Sequence, residues 1–239
     1  PMRRILKEAS SLGKLTLMRG ENWFGAMPDG YGLRRLARRM YHKGIFQHCS
    51  AFLTIGQKNR DYYLDHGISH HRLFNMPYAV DNEAFRTRAT VAAAANVREK
   101  LNISSEQKLI LYAGKLQRRK NPNHLLKALR FVGQGLAHPP ILVFVGDGEM
   151  RQELEASSPS SVKFVGFKNQ TEMPAYYKAA DVFVLPSERE PWGLAINEAM
   201  ATGTAVVASD QCGAAYDLIT PDTGRIFEAG NISALSASI

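Results

Sequence analysis

Cysteine is nearly absent: the 239 residues hold two, Cys49 and Cys212, far apart and with no C-x-x-C spacing. They fit a reduced, cytoplasmic setting without excluding a secreted one. Long apolar runs are missing too. No stretch approaches the ~20 residues of a membrane-crossing helix, and no signal-peptide pattern is visible. The seven histidines are scattered, with no H-E-x-x-H and only His70-His71 adjacent, so no metal site is expected. Gly146-Asp147-Gly148 follows an apolar run but lacks the third glycine of G-x-G-x-x-G and an acidic residue near twenty positions on. A nicotinamide dehydrogenase is therefore not expected. No G-x-S-x-G occurs, and the serines have no triad partners. Internal repeats and low-complexity segments are also lacking.

Apolar residues are plentiful, at 45%, enough to bury a core in one large domain or two small ones. Charge is uneven. The net is +8, yet residues 1–60 hold twelve Lys/Arg against three Asp/Glu, so the basic character belongs to that region and to its partners. Within it, residues 12–18 have a strand-like pattern, a Gly- and Pro-rich loop covers 24–32, and residues 33–41 read as a helix. Leu33, Leu36, Ala37 and Met40 share one face; Arg34, Arg35, Arg38 and Arg39 fall at i, i+1, i+4 and i+5 on the other. That basic face either meets an anionic surface, phospholipid headgroups or an acidic acceptor, or is a solvated face or one covering missing chain. A short strand at 51–55 and a helix at 59–66, stopped at Gly67, follow.

Residues 86–107 read as a connection with an alanine-rich helix at 91–101. Strands at 109–113, 141–145, 162–165, 182–185 and 205–208 then alternate with helices near 122–135, 148–156, 172–180, 193–202 and 213–219. Such alternation means βαβ units and a parallel sheet. At the end of one of these strands stands Ser187-Glu188-Arg189-Glu190-Pro191-Trp192-Gly193-Leu194-Ala195-Ile196-Asn197-Glu198-Ala199-Met200. Ligands of open α/β sheets bind outside the carboxyl ends of the strands, where this turn lies. Glu190 falls in the turn and Glu198 inside the next helix, which is apolar almost all round. An ionised carboxylate there is costly unless paired or hydrogen-bonded. Two readings stay open: sugar and ribose hydroxyls supply the donors, or Glu190 caps the helix and Glu198 meets an arginine or a backbone group.

The two glutamates, with seven residues between them that include Gly193-Leu194, and with Ala199-Met200-Ala201 after, resemble the E-x7-E motif of retaining GT-B glycosyltransferases. The likeness is to the large family-4 group that uses nucleotide sugars. It implies an α/β fold of two Rossmann-like domains facing across a cleft: a partial N-terminal, acceptor-side domain over 1–85, a connection over 86–107, and a nucleotide-sugar-binding domain over 108–239. By the same resemblance Glu190 contacts the donor sugar, Glu198 holds the ribose, and the amides of Gly193 and Leu194 face the donor. Orphan N–H groups at a helix start do favour phosphate oxygens.

Lys115, after Gly114, and Lys120 match family positions that hold the donor diphosphate. Lys115 stands where arginine is commoner, which trades a bidentate fork for a point charge. Departure of a nucleoside diphosphate builds negative charge that these cations offset without a metal. The alternative is a solvated basic turn, with Arg118 and Arg119 beside them. Gly166-Phe167 resembles the loop against which the nucleotide base lies, although Phe167 is equally open to a core position. Glu190, Lys115 and Lys120 are thus the catalytic candidates, and Glu198, Gly193, Leu194, Gly114, Gly166 and Phe167 the donor-binding ones. Cys212 takes the place of a glycine near the phosphates, as a small residue rather than a nucleophile. Arg19 departs from the family pattern, where many members carry a sugar-facing histidine. Either Arg19 or Glu21 faces an anionic donor or acceptor, or the two form a surface arrangement.

The resemblance also marks a fragment cut at both ends, before the last helices at one end and after the first strands and glycine-rich donor loop at the other. Such a fragment is expected to bind donor weakly and to transfer nothing. The full-length parent is expected to move a sugar from a UDP-, GDP- or ADP-sugar to a saccharide or lipid-linked hydroxyl, with retention of configuration. Cell-envelope, exopolysaccharide or glycolipid synthesis is the expected setting, in the cytoplasm or at the inner face of the membrane. No cofactor, metal or nucleic acid is expected. Two rivals remain: a GT-B hydrolase or epimerase acting on the nucleotide sugar itself, and a non-catalytic nucleotide-sugar-binding or scaffold protein.

Overall fold

The computed structural model describes residues 2–25 and 32–239, and the chain divides into two units between Tyr78 and Ala79. The middle of the Gly- and Pro-rich loop, residues 26–31, lies outside the described residues. The first unit runs α1 (Met2–Ser11), β1 (Leu17–Arg19), α2 (Leu33–Phe46), β2 (Ala51–Thr54), α3 (Gln57–Asp65) and β3 (Leu73–Asn75). Its strands are parallel in the order β1-β2-β3, with Met18 beside Phe52 and Phe52 beside Leu73. Parallel neighbours need long crossovers, and the helices supply them. The core is aromatic: Trp23, Phe46, Phe52, Tyr62 and Tyr63 pack together, and Phe46 meets Phe52 edge-on with ring centroids 5.2 Å apart.

Two expectations are adjusted here. The strand read over 12–18 begins only at Leu17, because the preceding residues close α1, where the Lys14 amide donates to the Ala9 carbonyl at 2.9 Å. Helix α2 runs on to Phe46, and only its far end, at Ile45 and Phe46, is buried. Leu33, Leu36 and Met40 are 84%, 55% and 67% exposed, so the apolar face is in water as well as the basic one. Arg39 is anchored, its guanidinium 2.6 Å from the Asp65 carboxylate.

The second unit opens with α4 (Asn82–Arg88) and α5 (Val91–Lys100), so residues 86–107 are largely helical and pack with this unit. Asp81 and Thr90 cap the two helices, accepting the Ala84 and Ala93 amides. There follow β4 (Leu109–Ala113), α6 (Pro122–Val132), β5 (Ile141–Val145), α7 (Arg151–Ser157), β6 (Val162–Phe164), α8 (Met173–Ala179), β7 (Val182–Leu185), α9 (Leu194–Ala201), β8 (Ala205–Ser209), α10 (Ala215–Leu218), β9 (Gly224–Phe227) and α11 (Ile232–Ser238). The six strands are parallel, in the order β6-β5-β4-β7-β8-β9. Every residue of β4 and β5 is buried, as their continuous apolar runs require. The strand order reverses direction between β4 and β7, which opens a crevice at their carboxyl ends.

Asp181, just before β7, ties the base of this sheet together. Its carboxylate accepts from Arg98 of α5 at 2.8 Å, from Lys108 at 3.0 Å and from the Leu109 amide at 2.8 Å. Burial alone would raise its pKa, but the Leu109 amide, Lys108 and Arg98 together bring it below the ordinary value. A depressed carboxyl stabilises the fold above its unfolded pKa and loses that contribution as pH falls through the folded one. Asp181→Asn is therefore expected to lower stability at pH 7 by about 1–2 kcal/mol, trimmed for the partial exposure of the group. In urea titrations the gap between variant and wild type should close as pH drops below about 4.

Candidate active site

The loops that follow β4, β5 and β6 lie against one another. The Gly114 amide donates to the Val145 carbonyl at 3.0 Å, and the Gly146 amide to the Gly166 carbonyl at 2.8 Å. Gly146, at φ 126°, has no room for a side chain: a Cβ there would stand 2.1 Å from the Gly114 carbonyl oxygen. Past Lys115, a 3-10 turn at Arg118–Lys120 is stitched to the turn that follows β7. The Glu188 amide donates to the Arg119 carbonyl at 2.9 Å, and the Arg119 guanidinium returns a bond of 2.9 Å to the Arg189 carbonyl. From the other side, the Glu190 amide donates to the Gln211 carbonyl, and the Gly213 amide to the Glu190 carbonyl, each at 3.1 Å. Gly193, in the left-handed region at φ 97°, turns the chain into α9; a Cβ there would press on Leu185 and on the Glu190 side chain.

These loops enclose a cavity of about 780 Å³ at the strand-order reversal, a size usual for ligand pockets. Gly114, Lys115, Lys120, Phe167, Glu190, Gly193, Leu194 and Glu198 all line it, far apart in sequence and together in space. Gly166 stands just behind, its carbonyl holding the Gly146 amide while Phe167 projects forward. A larger hollow of about 1490 Å³ lies at the opposite ends of β4, β7 and β8, beside Phe131, Pro221 and Ile239. The doubly wound order designates the crevice at the carboxyl ends instead.

Several open readings close. Glu190 does not cap α9, which has no side-chain cap. Glu190 is 8% exposed and its carboxylate pairs with Lys120 Nζ at 2.6 Å, so two of the candidate residues are each other's partner. Among the described residues Glu198 meets neither an arginine nor a backbone donor. Its Oε2 accepts from the Tyr177 hydroxyl at 2.8 Å. Burial raises the pKa of the Glu198 carboxyl, and the tyrosine hydrogen bond works against that rise. Tyr177 is fully enclosed, and burial, then the Glu198 charge, drives its own pKa far up, which keeps the phenol a donor. Phe167 is 77% exposed and is no part of the core. Cys212 is enclosed, and burial pushes its thiol up to about 12, so it is inert as a nucleophile. Sequence reasoning missed Tyr177. Its one trace is a hydroxyl-bearing side chain in the helix before β7, and nothing local connects it to Glu198.

Known proteins supply the class. Over 99% of this chain and 64% of its own, the Anabaena protein HepE, solved with UDP, superposes with a TM-score of 0.80 at 17% identity. It has also been solved with UDP and glucose and with UDP-glucose. The fold is GT-B, an α/β fold of parallel sheets. The chain belongs to the glycosyl transferases group 1 family, whose model matches residues 94–239. It is 37% identical over 119 residues to the uncharacterized glycosyltransferase MJ1607 of Methanocaldococcus jannaschii, covering 48% of this chain and 30% of that protein. It is 36% identical over 142 residues to a D-inositol 3-phosphate glycosyltransferase of Corynebacterium urealyticum, covering 54% and 33%. The chain thus spans about a third of the length of these curated relatives.

The Lys120–Glu190 pair generates a prediction of its own. Removing one member of an enclosed pair strands the other charge, at a cost of about 3–5 kcal/mol when burial is complete. Lys120→Met, at the wall of a cavity, is expected to cost up to about 3 kcal/mol in urea unfolding. Adding Glu190→Gln in the same chain should restore most of that loss.

Proposed function

We propose that the protein transfers a sugar from a nucleoside-diphosphate donor to an acceptor hydroxyl, with retention at the anomeric carbon. The observation that carries the reading is the meeting of Lys115 and Lys120 with Glu190 and Glu198 in one cavity at the carboxyl ends of β4 and β7. Lys115 and Lys120 stabilise the diphosphate as it leaves. A lysine has three N–H donors, so Lys120 keeps two for phosphate while bonded to Glu190. The first amides of α9, at Leu194 and Ala195, add donors and the positive end of a helix dipole. Glu190 orients the sugar, Glu198 takes the ribose hydroxyls, and the exposed Phe167 ring offers a face to the base. The acceptor oxygen bonds to the anomeric carbon on the side from which the diphosphate departs, and a phosphate oxygen takes its proton. These charges come from side chains and amides, so the reading needs no metal.

Among the described residues no helix is long and apolar enough to cross a membrane. For α2 we propose a peripheral contact with anionic phospholipid on the cytoplasmic side, which suits a lipid-linked acceptor of envelope or glycolipid synthesis. The motive is its doubly exposed character, with Leu33, Leu36 and Met40 in water opposite the arginines. Arg39 is engaged by Asp65; Arg34, Arg35 and Arg38 are exposed, and a basic residue near a charged membrane contributes about 1 kcal/mol. Vesicle co-sedimentation should rise with anionic lipid content and fall when these three become glutamine; indifference to either change would remove the contact from the reading.

Calorimetry tests the donor site. Lys115→Ala and Lys120→Ala are each expected to weaken UDP, GDP or ADP by about tenfold or more while moving the bare nucleosides by less than about twofold. Equal losses for both ligands would show that the cations are not at the phosphates. Turnover that releases sugar or a rearranged nucleotide sugar without acceptor would mark a hydrolase or epimerase, and the anomeric configuration of any product, read by NMR, decides retention.

A further inference from the structure

The cavity wall holds a residue that none of the donor contacts above employs. Tyr177 reaches from α8 across to α9, and its hydroxyl bonds Glu198 Oε2 at 2.8 Å. The ring cannot swing away. Phe183 meets it edge-on at 5.5 Å between centroids, and Phe85 of α4 packs at 6.4 Å. The backbone is pinned as well, since the Thr204 hydroxyl donates to the Tyr177 carbonyl at 2.7 Å and Thr202 braces Thr204 at 3.0 Å. A donor fixed this firmly needs no rearrangement when a ligand arrives.

Among the described residues Glu198 makes no ion pair. The charged groups elsewhere on the cavity wall are Lys115, Lys120, Asp147, Lys168 and Glu190. Of the elements packed on α9, α8 also carries Tyr176 and Lys178, α4 brings Glu83, Arg86 and Arg88, and α10 brings Tyr216 and Asp217. Glu83 and Arg86 pair with each other at 2.8 Å. Strands β7 and β8 bring no titratable side chain. A neutral phenol suits this position for a physical reason. It stabilises the carboxylate without cancelling its charge, and it offers the diphosphate nothing to pull on, as a lysine or arginine would.

We infer that Tyr177 is a positioning residue for the donor: it holds Glu198 Oε2 so that the carboxylate stays charged and presents Oε1 to the ribose hydroxyls. The inference rests on the proposed role of Glu198. At low pH the carboxyl takes up a proton and loses one acceptor, so ribose recognition weakens; without the phenol that loss begins at higher pH, because a hydrogen bond to the charged form has been removed.

The test uses the full 239-residue chain and calorimetric titrations across neutral and mildly acidic pH. UDP, GDP and ADP are compared first, and the tightest binder is carried forward with its 2′-deoxy counterpart, whose diphosphate titrates alike. Wild type should prefer the ribonucleotide and lose that preference on acidification, a loss that Glu198→Gln abolishes. Tyr177→Phe deletes one oxygen from the ring. It is expected to weaken the ribonucleotide about fivefold above neutrality, to leave the deoxy analogue within about twofold, and to shift the acid limb of the preference upward by about one pH unit. Thr204→Val, which removes the hydroxyl bonded to the Tyr177 carbonyl and to Thr202 but leaves the phenol untouched, should lower the melting temperature and leave that limb in place. An unshifted limb in Tyr177→Phe, or the same shift in Thr204→Val, would overturn the inference and leave the tyrosine a packing residue. If wild type shows no ribose preference, or if Glu198→Gln retains it, the reading of Glu198 itself fails and takes this inference with it.

Discussion

A carboxylate set among apolar side chains has to find donors, and the second unit answers that demand twice at one crevice. Glu190, nearly enclosed, is matched by a full positive charge on Lys120. Glu198, half-buried in α9, is matched by a neutral phenol. The difference matters for what each carboxylate has left to give. The first is largely compensated before a ligand arrives, whereas the second remains a net negative acceptor. Neither partner is a neighbour in sequence, so each bond depends on the order in which the strands are laid down.

That order also explains why so much of the site is backbone. The turn carrying Glu190 is held on one flank by the carbonyl and guanidinium of Arg119 and on the other by main-chain hydrogen bonds to residues 211–214. The loops after β4 and β5 approach so closely that Gly146 has no space for a methyl group. A site fixed in this way tolerates changes in many side chains but few changes in chain path.

Much of the second unit was legible because its strands are continuous apolar runs. Strands β4, β5 and β7 begin and end where those runs do, since a strand buried on both faces leaves no choice of register. Edge elements are harder to read. Strand β9 starts at a glycine and exposes Arg225 and Ile226, so it carries neither a run nor a clean alternation. Helix α1 is short and wholly unburied, with nothing in its pattern but a basic amphipathic turn. Within the site, the loop positions of Gly114, Lys115, Lys120 and Glu190 and the helical position of Glu198 were readable from spacing against strand ends. Their partners were not. The Tyr177–Glu198 bond spans 21 residues and two elements, and pairings of that kind are set by helix packing rather than by local periodicity. The exposure of α2 was likewise hidden, because an amphipathic pattern says which side is apolar and not what lies against it.

The cavity is walled by the segments that follow β4, β5, β6 and β7. Strand β4 itself pairs with β5, some thirty positions on, and with β7, some seventy positions on. No stretch shorter than β4 to α9 therefore carries the whole pocket, and any molecule that spans it is gripped only once these strands have paired. By mass action such a molecule adds to the free energy of unfolding the whole unit rather than of fraying a loop. Occupancy and global folding are one linked equilibrium here, and the protection a ligand confers should extend to the amides of the central strands, well beyond the atoms it touches.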